Sequence, residues 1–520
     1  PKPRGQSPSP VITAGQHIIL LSARTDTAIK TYARELVAFF MKNPFIDMAD
    51  AAYTLQLGRR EFKHRLMLVC SDANEAVGAL NSLQQPSQLH IGKVRTFFSQ
   101  VSDPPLIFMF TGPGNQYVDM ALDLYRDEKY FRQQMDLCFA ILRPILGYDL
   151  KVVLYPDEPV AGVYDNSGAR DMEHPEVILS SLFIIQYSLA KLLSHWGLNP
   201  HGMIGYGFGE YAAACFAGVI SVEEALELLV CAGRLMEKMT DDPMLNPVHS
   251  ELMDPILDDF TKKVKGVYLN KPGIPYISCT TGTWITPKQA TDRRYWVNHL
   301  RESVRFEEGV NELVKKKNAL FLEMGPGRDL SLMVQRGDGF GPHQKAISLM
   351  RATDEEGQDT RYLLDKVGRM WLYGRIIDWA TLHEGAKRQR ISMPAYPFER
   401  QYLWPDIQTA AAEPEPPAVE VTEEIGVKEA FPVLEKEEYR EEYKEEIKEK
   451  QEVKETKEPE VIEEKIEPPV LEEVAEPVQE ETSPEEPLTE EEPFPEAEEE
   501  PEDDLELGVE PELEPELEAE

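Results

Sequence analysis

The stretch that most restricts what this chain can fold into is Met203-Ile204-Gly205-Tyr206-Gly207-Phe208-Gly209-Glu210. An apolar run ends at Ile204. Three glycines then alternate, and a helix-forming run, Tyr211-Ala212-Ala213-Ala214, follows. Glycines at alternate positions let a strand turn sharply into a helix without Cβ clashes. This is the outline of a nucleophile elbow, Gly-x-Ser-x-Gly, but position 207, which should carry the nucleophile, is a glycine.

Strand, glycine turn and helix recur elsewhere. Residues 105–110 (PLIFMF) run into Thr111-Gly112-Pro113-Gly114-Asn115-Gln116, and a helix is predicted over 117–125. That loop lacks the Gly-Lys-Ser/Thr of a phosphate loop and the spacing of a dinucleotide turn. Residues 177–193 are apolar at helical spacing and predict a core helix. Further helices are expected over 221–239, 253–264 and 361–375. Strands are expected over 274–278 and 319–324, the second ending at Gly325-Pro326-Gly327. The pattern is that of an α/β fold with a mainly parallel sheet. Ahead of it, 17–23 (HIILLSA) and 65–70 read as strands, with helices over 25–42, 46–57 and 71–83. This is a small α/β unit with little visible chemistry and a structural role.

Charge divides the chain. Residues 411–520 hold 45 acidic and 9 basic residues, a net of −36 out of −39, so the first 410 carry only −3. A near-neutral body argues against nucleic acid as the main partner. The Glu- and Pro-rich tail has few large apolar residues and is expected to be disordered, with a lone solvated helix possible over 434–458. Residues 1–16 read as a linker, and the start at Pro1 reads as a segment of something longer. Five scattered cysteines, odd in number and without metal-ligand spacing, predict free thiols, no metal site and a cytoplasmic setting. No apolar run reaches the roughly 18 residues of a membrane span, so no membrane partner is expected.

Several stretches together resemble one family, the acyltransferase domains of modular polyketide synthases, related to malonyl-CoA:acyl-carrier-protein transacylases. Phe110-Thr111-Gly112-Pro113-Gly114-Asn115-Gln116-Tyr117 is similar to that family's F-x-G-Q-G-x-Q-Y loop. GYGFGEYAAACFAGVISVEEAL resembles its G-H-S-x-G-E elbow and the helix behind it. Gly233-Arg234-Leu235-Met236 resembles its arginine motif, and Val248-His249-Ser250 the end of its catalytic-histidine motif. TGTWIT, RRYWVNHLRESVRF and LEMGPGRDL resemble later signatures. The resemblance implies a ketosynthase-to-acyltransferase linker domain over 17–100, an acyltransferase-like domain over 104–345 and a post-acyltransferase linker over 346–405. The acidic tail, 406–520, lies outside it.

The family moves a malonyl-type acyl group from coenzyme A to a carrier-protein thiol through an acyl-serine. That chemistry needs a nucleophile, a base, an oxyanion hole and a carboxylate clamp. The resemblance makes His249 the retained base and Arg234 the clamp, and puts Gln116, Tyr206 and Val248 at substrate-binding positions. It also exposes losses. Gly207 replaces the serine. Tyr206 replaces the histidine before it. Pro113 replaces the glutamine whose N–H serves the oxyanion, and proline has no N–H. Leu179-Ser180 replaces a polar Gln-Pro pair. Only fifteen positions separate Arg234 from His249, where the family holds a ferredoxin-like subdomain. That subdomain is therefore expected to be deleted, leaving an open, poorly desolvated cleft. No resident cofactor is implied, only a malonyl-type coenzyme A thioester as substrate if the site is active. The implied partners are an acyl carrier protein, a ketosynthase and, for a silent domain, a separate acyltransferase. Three readings stand at this point: a catalytically inactive scaffold or docking platform, a working malonyl-type transferase, and an interaction protein acting through its acidic tail.

Overall fold

The structure is a computed structural model, which describes residues 15–84, 94–158, 168–239 and 249–399. Val248, residues 400–405 and the acidic tail, including the helix expected over 434–458, lie outside the described residues.

The small unit is built first. β1 (His17–Ala23), α1 (Asp26–Lys42), α2 (Met48–Leu57), β2 (His64–Cys70), α3 (Ala73–Asn81) and β3 (Val94–Phe98) follow in order. They form an antiparallel sheet in the order β1-β2-β3. β3 was not expected from the sequence, because Val94-Arg95-Thr96-Phe97-Phe98 lacks the long apolar run that marks β1 and β2. Side chains alternate across the sheet. Ile19, Leu21, Leu66 and Leu68 pack under α1 to α3, with Met393. Ile18, Leu20, Met67 and Val69 face the other way, into the core of the main body.

The main body holds β4 (Leu106–Phe110), α4 (Leu122–Asp127), α5 (Lys129–Leu146), α6 (Lys151–Leu154), α7 (Pro175–His195), β5 (Gly202–Gly205), α8 (Gly209–Phe216) and α9 (Val222–Glu237). After them come α10 (Asp254–Val264), β6 (Tyr276–Ile277), α11 (Pro287–Thr291), α12 (Arg293–Asn298), α13 (Phe306–Leu313), β7 (Leu320–Glu323), α14 (Asp329–Arg336) and β8 (Lys345–Ser348). α15 (Asp359–Leu372) and α16 (Trp379–Leu382) close the described chain, and 391–399 has no regular structure. The helix expected over 117–125 starts only at Leu122. Asp119 and Ala121 have φ of +64° and +62°, which bend the chain first.

The five strands of this sheet run in the order β6-β5-β4-β7-β8, and every pairing is parallel. Their near-continuous apolar runs fit strands covered on both faces. The chain goes from β4 to one side, through β5 and β6, then returns to β4's other side with β7. That reversal puts a crevice at the carboxyl ends of β4, β5 and β7, where α/β sheets place their sites. Among the described residues no sheet lies between α9 and α10. α7 has the length and hydropathy of a membrane span, but 83 % of its apolar window is buried inside the body. All five cysteines are free.

Candidate functional site

The elbow is formed. β5 ends at Gly205, the Tyr206 N–H donates to Phe110 O at 2.9 Å, and α8 starts at Gly209. The turn needs its glycines. A Cβ on Gly205 would lie 2.1 Å from Glu210 N, and one on Gly209 would lie 2.2 Å from Phe110 O. Gly207 sits at the tip with φ +52°, in the left-handed region. A Cβ there would lie 2.6 Å from His249 Nε2.

His249 therefore faces the nucleophile position. Its own φ is +63°, a rare conformation for a residue with a side chain. Its N–H donates to Leu300 O, and ring Nδ1 lies 2.9 Å from His299 O. Only an Nδ1–H can donate to that carbonyl, so Nε2 carries the lone pair. Nε2 is buried and has no hydrogen-bond partner among the described residues. Burial, then the neighbouring His299, lowers the His249 pKa to about 4, against the opposing effects of the His299 and Glu302 backbone and the Glu210 charge. The ring is neutral near pH 7, as a general base must be. The segment 240–248, on which the expected openness of the cleft turns, lies outside the described residues. Nearby lies a small hollow of about 10 Å³, room for about one water, lined by Thr111, Pro113, Leu179, Leu182, Phe183, Gln186 and Phe208.

The other residues singled out in the sequence lie around this centre or away from it. Pro113 lines the hollow and brings no N–H to it. Leu179 lines it too, and the hydroxyl of Ser180, next in sequence, is buried without a partner among the described residues. Gln116 turns back on its own loop, where its Oε1 accepts from the Gly114 N–H at 2.8 Å. The loop is anchored below by Gln186, whose Nε2 donates to Thr111 O at 2.8 Å. Tyr206 is partly exposed and packs edge-on against Phe306, 5.5 Å between centroids. Arg234 is not brought to the elbow by any of its bonds. Its Nε donates to Glu176 at 2.5 Å, and its Nη2 donates to Ile145 O and Leu146 O. Glu176 is 2 % exposed, so the guanidinium is committed to an internal carboxylate.

Beneath the elbow is a polar network to which the sequence alone assigns no role. Glu210 is wholly buried at the start of α8 and accepts from the Cys279 N–H at 2.7 Å and from the Tyr295 hydroxyl. His299 Nε2 lies 3.5 Å from Glu210 and 3.2 Å from Cys279 Sγ. Burial alone would raise the Glu210 pKa, but His299, Cys279 and Tyr295 together bring it below the usual value. Burial, then Glu210, pushes the Cys279 thiol well up, so it stays protonated. These donors lie within 4.8 Å of one another, a spacing that could hold a metal, yet each already bonds a neighbour in the network. The carbonyl of His299 is the one that orients His249, so a single network supports both the elbow helix and the base. The signal was present in RRYWVNHL as a signature, but nothing in its spacing revealed the contact.

Comparison with known proteins agrees with this geometry. Residues 107–244 match the family described as acyl transferase domain, and residues 17–80 match the family described as CurL-like, PKS C-terminal. The solved acyl transferase domain of ZmaA is 33 % identical and superposes with a TM-score of 0.67. The match covers 74 % of this chain and all of that one. The chain belongs to the polyketide synthase acyltransferase domains. A second solved member, the acyl transferase domain of SpnD in complex with 2-(pent-4-yn-1-yl)malonyl, is 29 % identical with a TM-score of 0.59, over 69 % of this chain and 96 % of that one. Among curated proteins, one component of the phenolphthiocerol/phthiocerol polyketide synthase of Mycobacterium tuberculosis is 26 % identical over 456 residues. That match covers 75 % of this chain and 30 % of the relative, so the chain spans about a third of the relative's length. The spectinabilin polyketide synthase system protein NorB of Streptomyces orinoci is 25 % identical, over 74 % of this chain and 20 % of that protein.

Proposed function

We propose that this polyketide synthase acyltransferase domain forms no acyl-enzyme and serves its synthase as a structural scaffold or docking platform. The observation that carries the reading is His249 Nε2, oriented and desolvated, aimed at a residue with no hydroxyl. The losses at Pro113, Leu179 and Arg234 add to it. An oxyanion donor alone is worth about 100- to 1000-fold in rate, and the arginine is spent on Glu176. The partners on this reading are the synthase's ketosynthase and acyl carrier protein, and a separate acyltransferase that supplies the acyl group. The linker domain over 17–100, the acyltransferase core over 104–345 and the linker over 346–405 are the units on which such docking would act.

A second reading is a working transferase, favoured by the neutral, correctly turned His249. Here the base would activate a carrier thiol for direct transfer from a malonyl-type coenzyme A thioester. The two separate in a turnover assay with malonyl-CoA and a carrier protein. The scaffold reading expects no transfer above buffer. Transfer that disappears in His249→Ala would establish the second reading instead.

A further inference from the structure

Away from the elbow, a cleft opens between the β1–β2 end of the small sheet, α15 and the segment 391–398. It holds about 240 Å³ and is open at its mouth, a little below the roughly 300–1,000 Å³ of drug-sized sites. Its walls include Tyr32, Phe62, Trp371, Tyr396 and Phe398. Phe398 is 84 % exposed at the mouth, an unusual position for a large apolar side chain. Arg59, which also lines it, is spent on Tyr32 and on the carbonyls of Gly58, Met393 and Pro394, so it holds the wall together.

Two other guanidiniums, those of Arg24 and Arg60, line the cleft. Arg24 and Arg60, distant in sequence, both lie over the Phe62 ring, at 5.6 and 5.8 Å from its centroid. Both are exposed, and neither has an ion-pair partner among the described residues. The acid in the cleft wall, Glu61, is held by Arg65 at 3.1 Å. Two cations gathered on one ring without an anion repel each other, and a carboxylate or phosphate between them would relieve this through charge-assisted bonds. The Arg24 backbone N–H donates to the Tyr396 hydroxyl at 3.0 Å, which ties the main chain at Arg24 to the segment 391–398. Trp371, in the cleft wall, is 2 % exposed and lies under the Arg65 guanidinium, which is 4.7 Å from the indole ring centroid.

We infer that this cleft binds a flat aromatic ring joined to an anionic group. The ring stacks among Phe62, Tyr396 and Phe398, and the anion sits between Arg24 and Arg60. A nucleoside monophosphate and an aromatic carboxylate share this chemistry. The site is separate from the elbow and does not depend on whether the domain transfers acyl groups.

Isothermal calorimetry on the full chain tests it with four probes: AMP, 4-hydroxybenzoate, adenosine and inorganic phosphate. Saturable binding of AMP or 4-hydroxybenzoate is expected, and which of them binds identifies the source of the anion. Adenosine and phosphate alone should bind at least about tenfold more weakly, and Arg24→Ala/Arg60→Ala should lose at least about tenfold. Both arginines are exposed, so the double variant should keep the wild-type melting temperature. The inference is overturned if neither aromatic anion saturates, if phosphate binds as well as they do, or if the folded double variant binds unchanged.

Discussion

At the residue scale the site turns on Gly207. Its φ of +52° is easy for glycine and costs about 1–3 kcal/mol for most other residues. Its missing side chain has also been filled, since a Cβ would meet the His249 ring at 2.6 Å. Restoring the family serine by Gly207→Ser is therefore expected to lower stability by about 1–3 kcal/mol, read by thermal melting, and to restore no activity by itself. A revertant that melts higher than the parent would show that the ring does not occupy this space. His249 makes a second prediction. Its folded pKa of about 4 lies below the ordinary 6.5, so the unfolded chain binds more protons between those values. Its contribution is full above pH 6.5 and is lost as pH falls towards 4, by up to about 3 kcal/mol. His249→Phe should flatten that part of the stability–pH curve relative to wild type. An unchanged slope would mean the ring is solvated.

At the element scale, much was legible. The elbow, β4, β7, α7 and α9 announced themselves through apolar runs, glycines and caps. Ser221 and Glu224 form a full capping box at the start of α9, with each side chain bonding the other's backbone N–H. Ser221→Ala should cost about 1 kcal/mol, measured by denaturant unfolding. No change would mean that the α9 start is held by its packing alone. What was not legible lies between elements. β3 is short and half-exposed, and its pairing with β2 is a long-range contact that no local pattern states. The resemblance made Arg234 the carboxylate clamp, and only the packing of α9 against α5 and α7 reveals its bond to the Glu176 carboxylate. The Glu210, Cys279 and His299 network gathers residues up to 89 positions apart. No spacing within one helix or strand could have assembled it.

At the scale of the whole molecule, the small sheet is sandwiched. One face packs on α1 to α3, and the other carries Ile18, Leu20, Met67 and Val69 into the main core with Leu363, Val367 and Met370 of α15. Ion pairs reinforce the junction: Arg95 with Asp365, and Arg361 with Glu75. The N-terminal unit therefore depends on sequence nearly 300 residues away. A fragment spanning 15–104 should fail to fold alone, because about half of its apolar sheet surface would face water. Circular dichroism should show no cooperative melt, and a sharp two-state transition would refute the dependence.

The central claim is that the elbow persists as architecture without forming an acyl-enzyme. Intact-protein mass spectrometry after incubation of the purified chain with malonyl-CoA measures this directly. A mass unchanged from that of the untreated chain is expected. Stoichiometric addition of one malonyl group, retained under denaturing conditions, would contradict it.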